Sequence, residues 1–151
     1  MKIAIGNDHA ATQLKKDMID HLHGKGNTIT VTDLGAENDQ GAAYPDYALR
    51  VSKGIMDGQY DIGLLLCGTG AGMCMAANKV HGIRAVVCSD PYTAQLSRAH
   101  NDANVLCMGA RVVGGELAKT ILDAFLEAQF EGGRHQSRID MVMAIEKENK
   151  E

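Results

Sequence analysis

A glycine-rich turn follows a cysteine in the segment Cys67-Gly68-Thr69-Gly70-Ala71-Gly72. Its three glycines allow a tight backbone turn that aims successive N–H groups at one point. A helix is predicted to begin directly after the turn, and its N-terminal dipole favours an anion or a developing oxyanion. The same field favours the thiolate form of Cys67, which is the reactive form of the side chain. The spacing makes Cys67 a candidate base or nucleophile, and a buried structural cysteine is the alternative.

The glycine spacing also bears on nucleotide binding. A dinucleotide-binding loop has the pattern G-x-G-x-x-G, whereas Met73 leaves the pattern G-x-G-x-G here. The loop also follows the third predicted strand, while that fingerprint usually follows the first. Asp90 lies roughly where a ribose-binding acid would stand, so its position excludes nothing. The Gly-Lys-Ser/Thr ending of a phosphate-binding P-loop is absent, so both nucleotide functions are disfavoured.

Acidic and imidazole side chains occur together at two other points. Asp8 and His9 follow the first predicted strand, where Asp8 could equally be the N-cap of a helix that begins near residue 10. The cluster His100-Asn101-Asp102 closes the fourth predicted helix, where a histidine also interacts favourably with the helix dipole. The remaining histidines that lack a visible partner are predicted to be surface residues: His21, His23 and His81.

Basic side chains near the end of the chain suggest a phosphate site. Arg134 and Arg138 are four residues apart, so a helix brings both guanidinium groups onto one face. Two such groups can clamp a phosphate dianion, and Arg111 at a predicted strand end could add a third charge. A solvated basic face is the alternative interpretation.

These residues belong to a chain of ordinary globular composition. It has 151 residues, 45% hydrophobic and 23% charged, with a net charge of −4, which disfavours nucleic acid as the main partner. Its apolar runs are too short for a membrane span and its N-terminus lacks the shape of a signal peptide, so a cytoplasmic location is expected. The four cysteines have neither C-x-x-C pairing nor metal-ligand spacing, so neither a disulfide framework nor a metal site is predicted.

Short aliphatic runs alternate with helical patterns along the chain. Strands are predicted at Lys2–Gly6, Thr28–Leu34, Ile62–Cys67, Arg84–Cys88 and Asn104–Met108. Helices are predicted near residues 10–23, 46–57, 71–79, 91–99, 112–129 and 135–148. This alternation indicates an α/β fold with a five-stranded parallel sheet covered on both faces, in a single domain over residues 1–151. Ligands of such folds bind at the carboxyl ends of the strands, where the polar residues described above collect.

Taken together, the motifs resemble the ribose-5-phosphate isomerase B / galactose-6-phosphate isomerase family. The resemblance runs from Gly6-Asn7-Asp8-His9-Ala10 to Gly133-Arg134-His135-Gln136-Ser137-Arg138. Its most specific stretches are residues 67–72, Ala76-Ala77-Asn78-Lys79-Val80 and residues 97–104. It implies a Rossmann-like three-layer α/β/α sandwich, a phosphorylated sugar as substrate, and no metal or organic cofactor.

The resemblance also implies a role for each site residue. Cys67 would be the base that moves a proton between C1 and C2, and Thr69 would assist at the sugar oxygens. Asp8 and His100 would assist ring opening. The substrate-binding residues would be His9, Tyr44, Gly68, Gly70, Ala71, Gly72, Asn101, Arg111, Arg134 and Arg138. One branch of the family carries a glutamate base at the position of Met73, which cannot take a proton.

The expected activity is the interconversion of ribose 5-phosphate and ribulose 5-phosphate through an enediolate. The alternatives are a six-carbon substrate, such as allose 6-phosphate or galactose 6-phosphate, and a non-catalytic sugar-phosphate-binding subunit. The resemblance further implies a homodimer or a dimer of dimers with shared active sites, and the helix near 135–148 would pack on the partner. The chain departs from many relatives in the loop 36–43 and at Ala43, where an acidic residue often precedes Tyr44-Pro45.

Overall fold

A computed structural model of the chain describes residues 1–38 and 43–148. Five parallel strands form one sheet in the order β2-β1-β3-β5-β4. Their bounds are β1 Lys2–Asn7, β2 Thr30–Asp33, β3 Ile62–Cys67, β4 Ala85–Val87 and β5 Val105–Gly109. The helices are α1 Thr12–His23, α2 Tyr44–Met56, α3 Ala71–Ala77, α4 Pro91–Asn101, α5 Gly115–Glu127 and α6 Arg134–Glu148.

Alternation along the strands builds one core on each face of the sheet. In β3, Leu64 and Leu66 pack with residues of α1 and α5, whereas Leu65 and Cys67 pack with residues of α2 and α3. Every residue of β3 is buried, because the strand is central and helices cover both of its faces. The predicted three-layer α/β/α, Rossmann-like sandwich with a five-stranded parallel sheet is therefore confirmed.

Several predicted bounds shift by a few residues for local reasons. The second strand shortens to Thr30–Asp33 because it is an edge strand that pairs with β1 at only these positions. The second helix begins earlier than predicted, at Tyr44, since Pro45 fits the first turn of a helix. A short 3-10 helix at His9–Ala11 precedes α1. Residues 39–42 of the loop 36–43 lie outside the described residues.

The topology fixes which edge of the sheet each helix end occupies. In a parallel sheet every crossover helix starts at the carboxyl edge and returns the chain to the amino edge. The end of α4 is accordingly held at the amino edge, where the Arg84 side chain, just before β4, donates to the carbonyl oxygens of Asn101 and Asp102. The helix α6 packs against α4. None of the helices within residues 1–38 and 43–148 is long and apolar enough to cross a membrane.

Candidate active site

Cys67 ends the central strand and is 5% exposed. The backbone N–H of Gly70 donates to its Sγ atom at 3.1 Å, and a donor at this position stabilises negative charge on sulfur. The turn that creates this contact requires glycine, because Gly70 has φ +80° and a Cβ there would lie 2.8 Å from Val87. The chain from Gly70 continues directly into α3.

The loop after Cys67 also presents a hydroxyl beside its backbone donors. The Thr69 side chain is exposed, and its Oγ1 accepts the N–H of Ala71 at 3.3 Å. The opposite side of the loop presses closely on β5, since a Cβ on Gly109 would lie 2.6 Å from the Thr69 carbonyl carbon. This close approach holds the loop at one height above the carboxyl edge of the sheet.

The first strand brings Asp8 and His9 to the same edge. Asn7 is paired in register with Leu66, and the N–H of Asp8 donates to the Leu66 carbonyl at 3.1 Å. The buried Asp8 carboxylate accepts the N–H of Ala10 at 2.9 Å, so the N-cap interpretation of Asp8 is confirmed. His9 begins the 3-10 helix and is exposed. Capping fixes the Asp8 carboxylate in place, and it does not remove Asp8 from the edge that carries Cys67.

Arg111 and Tyr44 lie on either side of the glycine-rich loop. The N–H of Arg111 donates to the carbonyl of Gly68 at 3.0 Å, and a Cβ on Gly68 would lie 3.4 Å from the Arg111 guanidinium. A Cβ on Gly72 would lie 3.0 Å from the Tyr44 ring. Both side chains are exposed, so they can meet a ligand above the loop.

The other predicted site residues lie in a different part of the chain. His100 and Asn101 are at the end of α4, at the amino edge of the sheet, and Arg138 lies on α6. These three residues line a groove of about 880 Å³ between α6 and the body of the domain, which we call the α6 groove. Arg134 begins α6 and is exposed. Within one chain, the fold therefore separates these four residues from the Cys67 loop.

Two residues of this region were not singled out from the sequence. His135 is 8% exposed and its ring stacks on that of His100, with centroids 4.2 Å apart and planes inclined by 7°. The Glu131 carboxylate lies 3.4 Å from Nε2 of His135 and 3.8 Å from Nε2 of His100. A histidine inside the GGRH stretch was the available signal, but only packing reveals its neighbour.

The same cluster is the one place in the described residues where a metal ion could be considered. The ligand atoms of His100, Glu131 and His135 lie within 4.8 Å of one another. The lone pair of an imidazole nitrogen lies in the plane of its ring, however, and two face-stacked rings cannot direct lone pairs at one ion. The arrangement therefore fits a stacked histidine pair beside a carboxylate better than a preformed metal site.

The remaining cysteines differ sharply in their environments. Hydrogen bonds from the Cys107 thiol and the backbone at Val87 lower the pKa of Cys74 to about 7, although burial opposes them. Burial and the nearby Asp90 charge raise the pKa of Cys88 to about 11, and burial raises the pKa of Cys107 well above its usual value. Cys74 differs from the other three cysteines because it is only partly buried.

Two further interpretations are settled by hydrogen bonds. Asp90 caps α4, accepting from the N–H and the hydroxyl of Thr93 at 2.7 Å each, which gives it a structural role. His81 is exposed, as predicted, whereas His21 is only partly exposed, and both lie near a carboxylate that the sequence did not indicate. His21 Nε2 lies 2.8 Å from Asp123, since α1 packs against α5, and His81 Nδ1 lies 3.6 Å from Glu146 on α6. His23 is exposed, as expected.

The chain is similar to known proteins over nearly its whole length. Ribose-5-phosphate isomerase B of Escherichia coli (strain K12) is 54% identical over 145 residues, which cover 96% of this chain and 96% of that protein. D-erythrulose-4-phosphate isomerase of Pectobacterium atrosepticum is 46% identical, over 99% of this chain and 98% of that protein. The structure of ribose-5-phosphate isomerase B from Mycoplasma genitalium with bound ribulose-5-phosphate has a TM-score of 0.90 and 45% identity, covering 98% of this chain and 97% of that one.

The family model that matches is described as Ribose/Galactose Isomerase, and the match extends over residues 3–142. It includes the Cys67 loop, Asp8 and the start of α6. With this extent of match and these identities, the chain belongs to the ribose/galactose isomerase family.

Proposed function

We propose that this protein is an aldose–ketose isomerase that interconverts ribose 5-phosphate and ribulose 5-phosphate. The observation that carries the proposal is the Cys67 sulfur at the carboxyl edge of the sheet, 3.1 Å from the N–H of Gly70 and next to a loop of backbone donors. The names of the relatives described above support the reaction and the substrate.

The proposed chemistry needs one base and one oxyanion site. The Cys67 thiolate removes the proton on C2 of the open-chain aldose, which leaves an enediolate. The N–H groups from Gly68 to Gly72 stabilise the enediolate charge, and one such donor is typically worth about 2.7–4 kcal/mol. The Cys67 thiol then returns the proton to C1, which gives the ketose, while Thr69 assists at the sugar oxygens. This sequence of steps requires neither a metal nor an organic cofactor.

Ring opening and phosphate binding use residues from both parts of the molecule. Asp8 and His100 assist ring opening, and Tyr44 and Asn101 contact the sugar. A phosphate dianion binds the cationic set, whose members are His9, Arg111, Arg134 and Arg138. Since His100, Asn101, Arg134 and Arg138 lie away from the Cys67 loop in one chain, we propose that a second copy supplies them.

A homodimer with shared sites, alone or paired into a dimer of dimers, would satisfy this geometry. In a two-fold dimer each subunit gives the same surface to the other, so two complete sites form at once. The helix α6 suits such contact, because its apolar side chains Met141, Val142 and Ile145 are 69%, 57% and 59% exposed. Large apolar residues exposed together on one helix are typical of an interaction surface. The helix α6 thus belongs to the single domain and also packs on the partner.

A four-carbon substrate is the second candidate function, and the Pectobacterium relative favours it. The six-carbon phosphates remain alternatives because the matching family model is described as Ribose/Galactose Isomerase. We also propose a cytoplasmic location, because all four cysteines are free thiols and a reducing compartment keeps them so.

Steady-state isomerisation by the purified chain tests the proposal directly. Ribose 5-phosphate should be isomerised with a higher kcat/KM than D-erythrulose 4-phosphate, allose 6-phosphate or galactose 6-phosphate. A preference for another sugar phosphate would keep the chemistry and change the substrate. The absence of turnover on all four, combined with tight binding of a sugar phosphate, would instead favour the non-catalytic subunit.

A further inference from the structure

Two imidazole rings form a stack at the mouth of the α6 groove. His100 comes from the end of α4 and His135 from the first turn of α6, and their planes differ by only 7° at a centroid distance of 4.2 Å. His135 is 8% exposed, so its ring offers little surface to a substrate. A ring that is backed in this way has one allowed plane, because rotation would collide with its neighbour.

A carboxylate is held beside both rings. The backbone N–H of Glu131 donates to the carbonyl of Ala99 at 3.0 Å, which ties the segment before α6 to the residue preceding His100. Glu131 Oε2 consequently lies near Nε2 of both histidines, at 3.8 Å from His100 and 3.4 Å from His135. Nε2 of His135 is buried without a hydrogen-bond partner, and this carboxylate oxygen is an acceptor 3.4 Å away from it.

We propose that Glu131 and His135 are positioning residues that set the ring plane and the tautomer of His100. The inference rests on the role of His100 in ring opening that the proposed function assigns. A carboxylate facing Nε2 favours the tautomer that carries its proton there, which leaves Nδ1 of His100 as the atom that accepts a proton from the sugar hydroxyl. The stack with His135 fixes the direction in which Nδ1 points. Neither Glu131 nor His135 needs to touch the substrate.

Paired variants separate the two contributions. Glu131→Gln keeps the shape of the side chain and removes its charge, whereas His135→Phe keeps a flat ring and removes Nε2. We expect Glu131→Gln to lower kcat about tenfold with KM changed less than twofold, since positioned proton transfer contributes about 10²–10⁴-fold. His135→Ala, which removes the stack, should lower kcat more than His135→Phe. His21→Gln is the matched control, because it breaks an imidazole–carboxylate pair with Asp123 elsewhere in the fold.

A spectroscopic measurement of the His100 tautomer tests the inference independently of enzyme activity. Nitrogen-15 NMR of ring-labelled histidine reports which nitrogen of each of the six histidines carries the proton. His100→Gln assigns the signal. The wild-type protein should give His100 protonated on Nε2 in its neutral form, and Glu131→Gln should convert part of it to the other tautomer. In the control variant His21→Gln, the nitrogen-15 signals of His100 should be the same as in the wild-type protein.

Several results would overturn the inference. One is an unchanged His100 tautomer in Glu131→Gln together with equal kcat values in His135→Ala and His135→Phe. Another is stoichiometric Zn²⁺ binding by the wild-type protein that Glu131→Gln and His135→Ala each abolish. That result would make the cluster of His100, Glu131 and His135 a metal site. Failure of the proposed function can be told apart from failure of this inference. The first would appear as a wild-type protein without isomerase turnover, whereas the NMR signals would still show whether Glu131 sets the His100 tautomer.

Discussion

The Cys67 loop and the α6 groove carry different parts of the proposed site, and different kinds of interaction hold them. At the loop, backbone groups make the contacts that hold the site residues. The N–H of Gly70 donates to the Cys67 sulfur, and the Gly68 carbonyl accepts from the N–H of Arg111. At the groove, side chains hold side chains, as the stacked rings and the adjacent Glu131 carboxylate demonstrate. A backbone-built site follows from glycine spacing in the sequence. A side-chain-built site depends on which helices pack together.

The largest effect should come from the loop. We expect Cys67→Ala to lower kcat by about 10³-fold or more, because the general base contributes about 10²–10⁴-fold and no other group replaces it. Binding of the sugar phosphate should persist, since the phosphate contacts are unaltered. Turnover assays with calorimetric titration of ribulose 5-phosphate measure both quantities, and Cys88→Ser serves as the control thiol variant. Near-normal turnover in Cys67→Ala would remove Cys67 from the mechanism.

A complementation experiment tests whether the two regions act across a subunit boundary. Cys67→Ala and His100→Ala chains, each nearly inactive, are unfolded together and refolded as a mixture. In a shared-site dimer, half of the dimers are mixed and each has one intact site, so about a quarter of wild-type activity should return. Mixing Cys67→Ala with Cys67→Ser should restore nothing. No recovery in the first mixture would mean that each chain builds its site alone.

The arginines of α6 should act on binding more than on turnover. Arg138→Ala removes a charge-assisted hydrogen bond worth about 1.5–3 kcal/mol, so KM should rise about tenfold or more with a smaller change in kcat. Lys147→Ala removes an exposed charge from the same helix and is the matched control. Comparable KM values in the two variants would leave Arg138 outside the phosphate site.

The smallest effect concerns the thiols behind the loop. Cys74, with a pKa lowered to about 7, is about half thiolate at neutral pH, whereas Cys88, with a pKa raised to about 11, is almost wholly protonated. Iodoacetamide should therefore modify Cys74 with a rate midpoint near pH 7, while Cys88 and Cys107 stay unmodified at that pH. Peptide mass spectrometry after timed reactions measures each site, and Cys74→Ser identifies its signal. A Cys74 midpoint near pH 9 would contradict the hydrogen bond from Cys107.

Much of the fold was predictable because the strands carry strong local patterns. The apolar run of β3 indicated a strand, and the order of strands and helices indicated a parallel sheet. Helix and strand ends were less predictable. The start of α2 depended on Pro45, and the length of β2 depended on its pairing with β1 at a sheet edge. Neither the first-turn position of Pro45 nor the pairing of an edge strand can be recognised from the periodic spacing of hydrophobic residues.

The sequence by itself determined the glycine-rich turn after Cys67, the cap at Asp8 and the arginine spacing on α6, because each depends on neighbours within a few residues. Tertiary structure alone decided that His100 stacks on His135 and that His21 pairs with Asp123, because those contacts join separate helices. It also decided that Cys67 and His100 lie at opposite edges of the sheet. A crossover helix carries the chain from one edge to the other, and this geometry is why we propose that a second copy completes the site.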